Sequence, residues 1–166
     1  MDGQQKLFEY CKQVLEQNRV NGWTRPAPHL YPHQWLWDSC FIAIGLRHYN
    51  VHRAKREIKN LFRGQWKNGM IPNIIYGDEK HYKDDIWHSN VSKNAPKHLK
   101  TSGITQPPMI AEAVARIGKG MNKKDRQQWY KSIFDDLVRY HEWIYRERDP
   151  HGEGLAHPVE DSALLV

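Results

Sequence analysis

The sequence predicts an all-α chain of helical hairpins, and three features carry that reading. Mostly apolar segments alternate with segments that are apolar on one side only. Short turns join the two kinds at one end. Long loops rich in Trp, His, Gln and Pro join them at the other. When apolar inner helices are ringed by half-solvated outer ones, the loops at one end converge on a central hollow, where function concentrates. That is the arrangement of an α/α toroid. Two inner–outer pairs and one leading helix are too few to close a ring, so the toroid is expected to be incomplete. At 166 residues the chain has room for one domain with a real core, spanning residues 1–166.

From Lys6 to Val20, Leu7, Phe8, Cys11, Val14 and Leu15 recur at spacings of three and four, which predicts an amphipathic helix. Asn21-Gly22 ends it, and Pro26 and Pro28 make Trp23 to Leu30 an ordered loop. A second helix begins between Gln34 and Asp38 and runs to Leu46, apolar on nearly every side and so expected to be buried on most faces. After a turn at His48 to Asn50, Asn50 caps a third helix. Its core stripe is Ala54, Ile58, Leu61 and Phe62, with Trp66 beyond, and Arg53, Lys55, Arg56, Glu57 and Lys59 are assigned to the solvent side. Gly69 to Tyr76 reads as a strand-pair edge or a loop lining a cavity. Gly77 to Thr105 shows no sustained period, and a loop of that length has the job of roofing a site. Gln106-Pro-Pro108 introduces an inner helix from Met109 to Ile117. One long outer helix is then expected from Lys123 to Arg148, with Trp129, Ile133, Phe134, Leu137, Tyr140 and Ile144 on its stripe.

Composition narrows the class. With 39% hydrophobic and 27% charged residues the chain is globular. No apolar run nears the roughly 20 residues a membrane span needs, and the first residues lack a secretion signal, so a cytoplasmic protein is expected. Cys11 and Cys40 form no ligand spacing or disulfide framework and are expected as buried free thiols. The net charge of +6 is spread along the chain without a nucleic-acid motif, so no nucleic-acid partner is expected. Ten histidines and seven tryptophans point instead to polar, aromatic-lined cavities. His29 and His33 have a helical ligand spacing, but Pro32 lies between them and no third ligand is evident. No metal or cofactor is called for.

The densest chemistry is Tyr31-Pro-His-Gln-Trp-Leu-Trp-Asp38. Aromatic faces stack on the C–H face of a sugar ring, while a neighbouring carboxylate or amide takes its hydroxyl hydrogen bonds, so this set reads as a carbohydrate subsite. The competing reading makes Trp35 and Trp37 core anchors and Asp38 a helix cap.

Four motifs in order, Tyr31 to Asp38, Gly69-Met-Ile-Pro-Asn73, Ser102-Gly-Ile-Thr-Gln-Pro-Pro108 and Arg148-Asp-Pro-His-Gly-Glu-Gly-Leu155 followed by His157-Pro158, resemble the N-terminal part of (α/α)6-barrel glycosidases related to glycoside hydrolase family 63. The mannosylglycerate and glucosylglycerate hydrolases are the nearest in pattern. The resemblance implies that Tyr31, Trp35, Trp37 and Asp38 line a sugar subsite, which Gln106 reaches from the start of the next inner helix. Asn73 stands where relatives commonly have histidine. Hydrolysis of α-glycosides with inversion requires an acid and a base about 6.5–9.5 Å apart. In relatives the acid follows the His-Pro pair in a Trp-Glu-Ser-Gly-x-Asp-like segment, and the base lies in the second half of the barrel. Here Glu160 fits, Val159 replaces the Trp, the glycine and expected acid are absent, and Asp161 is shifted. No catalytic residue is therefore assigned; Asp84-Asp85 and Glu112 are weak substitutes. The expected function is a truncated glycosidase domain with a partial site for a small carbohydrate and little or no hydrolysis alone. The expected protein partner is a second copy or a missing C-terminal half. The alternative is a self-associating helical module without activity.

Overall fold

The computed structural model describes residues 2–77, 92–149 and 151–154. Six helices and two short strands follow in order: α1 (Gly3–Gln17), β1 (Gln34–Trp35), α2 (Leu36–Leu46), α3 (Val51–Arg63), β2 (Ile74–Ile75), α4 (Ile110–Lys119), α5 (Lys123–Lys131) and α6 (Phe134–Arg148). Residues 78–91 of the loop expected to roof the site, with Asp84 and Asp85, lie outside the described residues, as does the segment holding Glu160 and Asp161.

Helix α1 starts earlier than its apolar spacing suggests because the Asp2 carboxylate accepts from Gln5 N–H at 2.8 Å. It stops at Gln17, where Arg19 pairs with Thr24 across a tight turn containing Gly22 at φ 95°. Its apolar side is largely open: Leu7, Phe8, Tyr10 and Val14 are exposed, and so is Cys11, contrary to the expected buried thiol. Cys40 is fully buried, and burial pushes its thiol pKa up.

Helices α2 and α3 form the expected hairpin, with Asn50 Oδ1 accepting from Arg53 N–H at 3.0 Å as the cap of α3. The core joins Leu36, Cys40, Ala43 and Leu46 of α2 to Ala54, Ile58 and Leu61 of α3 and Ile110, Ala113 and Ile117 of α4. Helix α4 packs on both α2 and α3, so the two apolar helices are inner neighbours. Not every side of α2 is covered, however: Trp37 and Phe41, one turn apart, are exposed.

The long helix expected from Lys123 to Arg148 is two helices. Ser132 Oγ donates to Trp129 O at 2.8 Å, and Ile133 leaves the helical region with φ −140°. The interruption rephases the stripe. Trp129, Ile133, Tyr140 and Trp143 face the core, whereas Phe134 is 62% exposed.

The stretch after α3 is a strand pair. Strands β1 and β2 run antiparallel with Gln34 opposite Ile75 and Trp35 opposite Ile74, and Thr101 bridges to Ile75 on the far side. Among the described residues no helix is long and apolar enough to cross a membrane.

Gly69 ties this stretch to α6. It adopts φ 106°, and a Cβ there would collide with the Arg139 carbonyl. Both backbone strain and overpacking oppose any side chain. Gly69→Ala is expected to cost about 2–4 kcal/mol, seen as a lower thermal midpoint in a calorimetric or circular-dichroism melt.

Candidate functional site

The aromatic stretch forms an elbow where β1 turns directly into α2. Trp35 is the last extended residue and the N-terminal boundary of the helix, and no side chain of its own caps it. The first N–H groups of a helix have no partner within it. Here they are met from elsewhere: Leu36 N–H donates to Asn73 O at 2.9 Å, and Trp37 N–H donates to Gln106 Oε1 at 3.2 Å. Asp38 takes its own backbone N–H. It is therefore the third helical residue and not the cap that one reading of the sequence made it.

These bonds fix where the five candidate residues lie. Tyr31 is exposed and meets the Trp35 ring edge-on with centroids 5.2 Å apart. Trp37 is exposed and sits 6.3 Å from the Phe41 ring. Asp38 lies half-buried on the first turn of α2. Burial raises its pKa, while hydrogen bonds from its own N–H and from the Trp37 side chain pull the other way. Gln106 joins the group directly through Trp37 N–H, so its amide oxygen is committed to the helix start and its amide nitrogen is the end available to a ligand. Trp35 Nε1 is buried and finds no acceptor among the described residues. The elbow thus offers an indole face and a carboxylate, and Gln106 brings an amide to it from a distant stretch of the chain.

Other residues of the motifs have structural work. Asn73 is buried; its Oδ1 accepts from Ser102 Oγ and its N–H donates to Ile104 O at 2.7 Å, which knits the second and third motifs together beneath the elbow. His33 is buried as well, with Nδ1 accepting from Gly77 N–H at 3.1 Å and the ring edge-on to Tyr76.

Arg53 and Glu57, which the sequence places on the solvent side, belong instead to a buried polar cluster behind the elbow. Glu57 of α3 is 1% exposed and Arg53 is 4% exposed. Glu57 Oε1 accepts from Ser39 Oγ at 2.8 Å, Thr24 N–H at 3.2 Å and Gln34 Nε2 at 3.4 Å, and Oε2 accepts from Thr24 Oγ1 at 3.0 Å. Gln34 is further held by Asn60 Nδ2 at 2.5 Å. Arg53 donates to Thr24 Oγ1 at 3.3 Å, to Leu15 O at 2.7 Å and to the Glu16 carboxylate. Thr24 thereby links the two buried charges. Burial pushes Glu57 up to about 7, against the opposing pull of Ser39, Thr24 and Arg53. The signal was present in the spacing: Arg53, Glu57 and Asn60 recur at four and three, alongside the apolar stripe.

Comparison with known proteins bears on the whole arrangement. The model of the mannosylglycerate hydrolase MGH1-like glycoside hydrolase domain matches residues 31–163. A mannosylglycerate hydrolase from Rubrobacter radiotolerans is 44% identical over 161 residues, which cover 93% of this chain and 36% of that protein. A glucosylglycerate hydrolase from Mycolicibacterium hassiacum is 38% identical over 151 residues, covering 85% and 34%. The crystal structure of the GH63 mannosylglycerate hydrolase from Thermus thermophilus with Tris and D-glycerate superposes with a TM-score of 0.78 at 35% identity, over 90% of this chain and 35% of that one. The chain thus spans about a third of the length of the relatives it matches. Its alternating helices form part of an (α/α)6 toroid.

The Glu57 cluster makes stability depend on pH in a stated direction. With a folded pKa of about 7 against an ordinary value of 4.5, the folded state holds a proton that the unfolded state has released throughout that interval. Stability contributed by Glu57 is therefore full below about 4.5, falls on the order of 3 kcal/mol as pH rises to about 7, and is flat beyond. Denaturant melts from pH 4 to pH 8 are expected to show this slope in the parent chain and to lose it in Glu57→Gln.

Proposed function

Because the chain belongs to the family of mannosylglycerate hydrolase MGH1-like glycoside hydrolase domains, we propose that it is a single domain, the N-terminal portion of such a barrel, carrying part of a sugar site. Its ligands would be α-glycosides such as glucosylglycerate or mannosylglycerate. The observation that carries this reading is the elbow itself, where exposed Trp37, half-buried Asp38 and Gln106 are held together by the bond to Trp37 N–H. An indole face suits the C–H side of a pyranose, and Asp38 and the Gln106 amide suit its hydroxyls.

Chemistry is a separate matter from binding. Inversion needs two carboxyls on opposite faces of the sugar, one to protonate the leaving oxygen and one to activate water. Asp38 is the carboxylate on this elbow, and a single carboxylate does not make that pair. The chain alone is thus a binder with little or no turnover. We take the cytoplasm as its compartment, in keeping with an exposed, unpaired Cys11 thiol that a reducing environment preserves.

A second reading concerns association, and it rests on the open side of α1 and α2. Tyr10, Cys11, Val14, Leu15, Phe41 and Ile42 line an apolar groove of about 430 Å³. Contiguous exposed apolar surface of this kind drives docking. In this chain a second copy is the occupant, making the chain a self-associating module whether or not it binds sugar.

Two measurements test these readings. Titration calorimetry with glucosylglycerate and mannosylglycerate is expected to show binding that Trp37→Ala weakens about tenfold, the loss of one stacking contact, without loss of fold. Hydrolysis at roughly 1–1000 per second would overturn the limited-turnover part. Light scattering is expected to show mass rising with concentration, abolished by Phe41→Lys; a monomer at high concentration would remove the second reading.

A further inference from the structure

The sugar-site reading leaves a buried carboxylate without a role. Glu57 lies on the outer helix α3, behind the elbow, and touches neither Trp37 nor Gln106 in any hydrogen bond found there. Its four donors come from three separate segments. Thr24 belongs to the loop after α1, Gln34 to β1 and Ser39 to the first half of α2. Gln34 and Ser39 are also bonded to each other at 3.1 Å, and Gln34 Nε2 reaches Glu57 O at 3.2 Å. Both arms of the elbow are thus tied to one residue, while Trp35, Trp37 and Asp38 lie on the chain between the two ties.

A carboxylate is an unfavourable choice if packing is all that is needed. Taking it out of water is costly, and apolar side chains of similar volume often serve stability equally well. What a carboxylate supplies is direction: two oxygens accepting from several donors at set angles, which a methionine or leucine does not reproduce. Gln34 and Ser39 bond the same oxygen of it, which couples the end of β1 to the first half of α2.

We propose that Glu57 is a positioning residue of the sugar site, setting the angle of the β1–α2 elbow and through it the placement of Trp35, Trp37 and Asp38. The proposal rests on the sugar-site reading for its functional consequence, but its structural content stands apart from ligand. The charged and titratable groups around Glu57 are Arg53 on α3, Glu16 on α1, bonded to Arg53, and Asp38 and Cys40 on α2. None of these donates a hydrogen bond to the carboxylate among the described residues, so the directional ties are Thr24, Gln34 and Ser39.

The test reads the indoles directly. Indole N–H resonances are recorded by ¹⁵N–¹H NMR at one pH for the parent chain, Glu57→Gln, Glu57→Met and Ser39→Ala, with each tryptophan assigned by its Phe variant. Trp35 and Trp37 are expected to shift in all three variants, most in Glu57→Met, while Trp129 and Trp143, packed in α5 and α6, stay in place. Glucosylglycerate affinity is expected to fall about tenfold in Glu57→Gln, the range of one lost hydrogen bond to a charged group. Unmoved Trp35 and Trp37 signals in folded Glu57→Gln, or shifts spread equally over Trp129 and Trp143, would overturn the proposal. Should the Glu57 variants fail to fold, Ser39→Ala decides in the same terms, because it removes one tie of Glu57 and leaves the carboxylate in place. A parent chain that binds no sugar defeats the sugar-site reading alone, since the indole shifts are read without ligand.

Discussion

A buried carboxylate with donors from three segments is the constraint from which the rest of this structure follows. Glu57 lies where α3 meets the loop after α1, strand β1 and helix α2, and each meeting is made by a hydrogen bond to the same side chain. Burial alone would favour a neutral group at that place. The surrounding hydroxyls, amides and Arg53 resist that preference, and the balance leaves its proton affinity near neutrality. The bonds of Arg53 to Thr24, of Asn60 to Gln34 and of Gln34 to Ser39 join the same elements, so the carboxylate sits at the centre of a polar network.

The front of the elbow depends on a second set of bonds. Helix α2 begins without a capping side chain of its own, so its first N–H groups need acceptors from distant sequence. Asn73 and Gln106 supply them. Three of the four motifs that resemble a glycosidase are therefore one physical unit: the first forms the elbow, the second gives the backbone carbonyl, and the third gives the amide oxygen. Ser102 and Thr105 extend it, since Ser102 holds Asn73, and Thr105 bonds Ile71 O at 2.7 Å and the Tyr140 hydroxyl at 2.7 Å. Tyr140 in turn connects the elbow to α6, and its burial pushes the phenol up to about 12, keeping it a neutral hydrogen-bonding group.

Much of this was legible in the sequence where period and residue type agree. The α2–α3 hairpin, the Asn50 cap and the inner character of α4 all follow from spacing, because apolar side chains at three and four have one way to be buried. The failures have a common cause. Arg53 and Glu57 were assigned to solvent by residue type, although their helical phase places them next to Ala54, Ile58 and Leu61; the partners that make their burial tolerable are far off at Thr24, Gln34 and Ser39. The break at Ser132 was hidden because Ser and Ile are each acceptable inside a helix, and only the hydroxyl bond to Trp129 O turns the chain. The density of aromatic and polar groups from Tyr31 to Asp38 is legible in the sequence, whereas the turn of β1 into α2 that arranges them is not. Nor is the bond from Trp37 to Gln106, since it spans 69 positions.

Helix α2 shows why average apolarity misled. Its residues divide into three faces that a mean cannot separate. Leu36, Cys40 and Ala43 recur at four and three and enter the core; Trp37 and Phe41, four apart, stand outside it; Ser39 turns to Glu57. A helix buried all round would have no use for a serine with a designated partner, nor for two exposed aromatic rings in succession. The outward pair lies on one face, with Trp37 at the elbow and Phe41 lining the apolar groove. Occupation of the Phe41 groove would therefore bring protein to the edge of the Trp37 surface. Trp37 at the elbow and Phe41 beside the groove thus share the uncovered side of one helix, and whatever seats on either bears on the other.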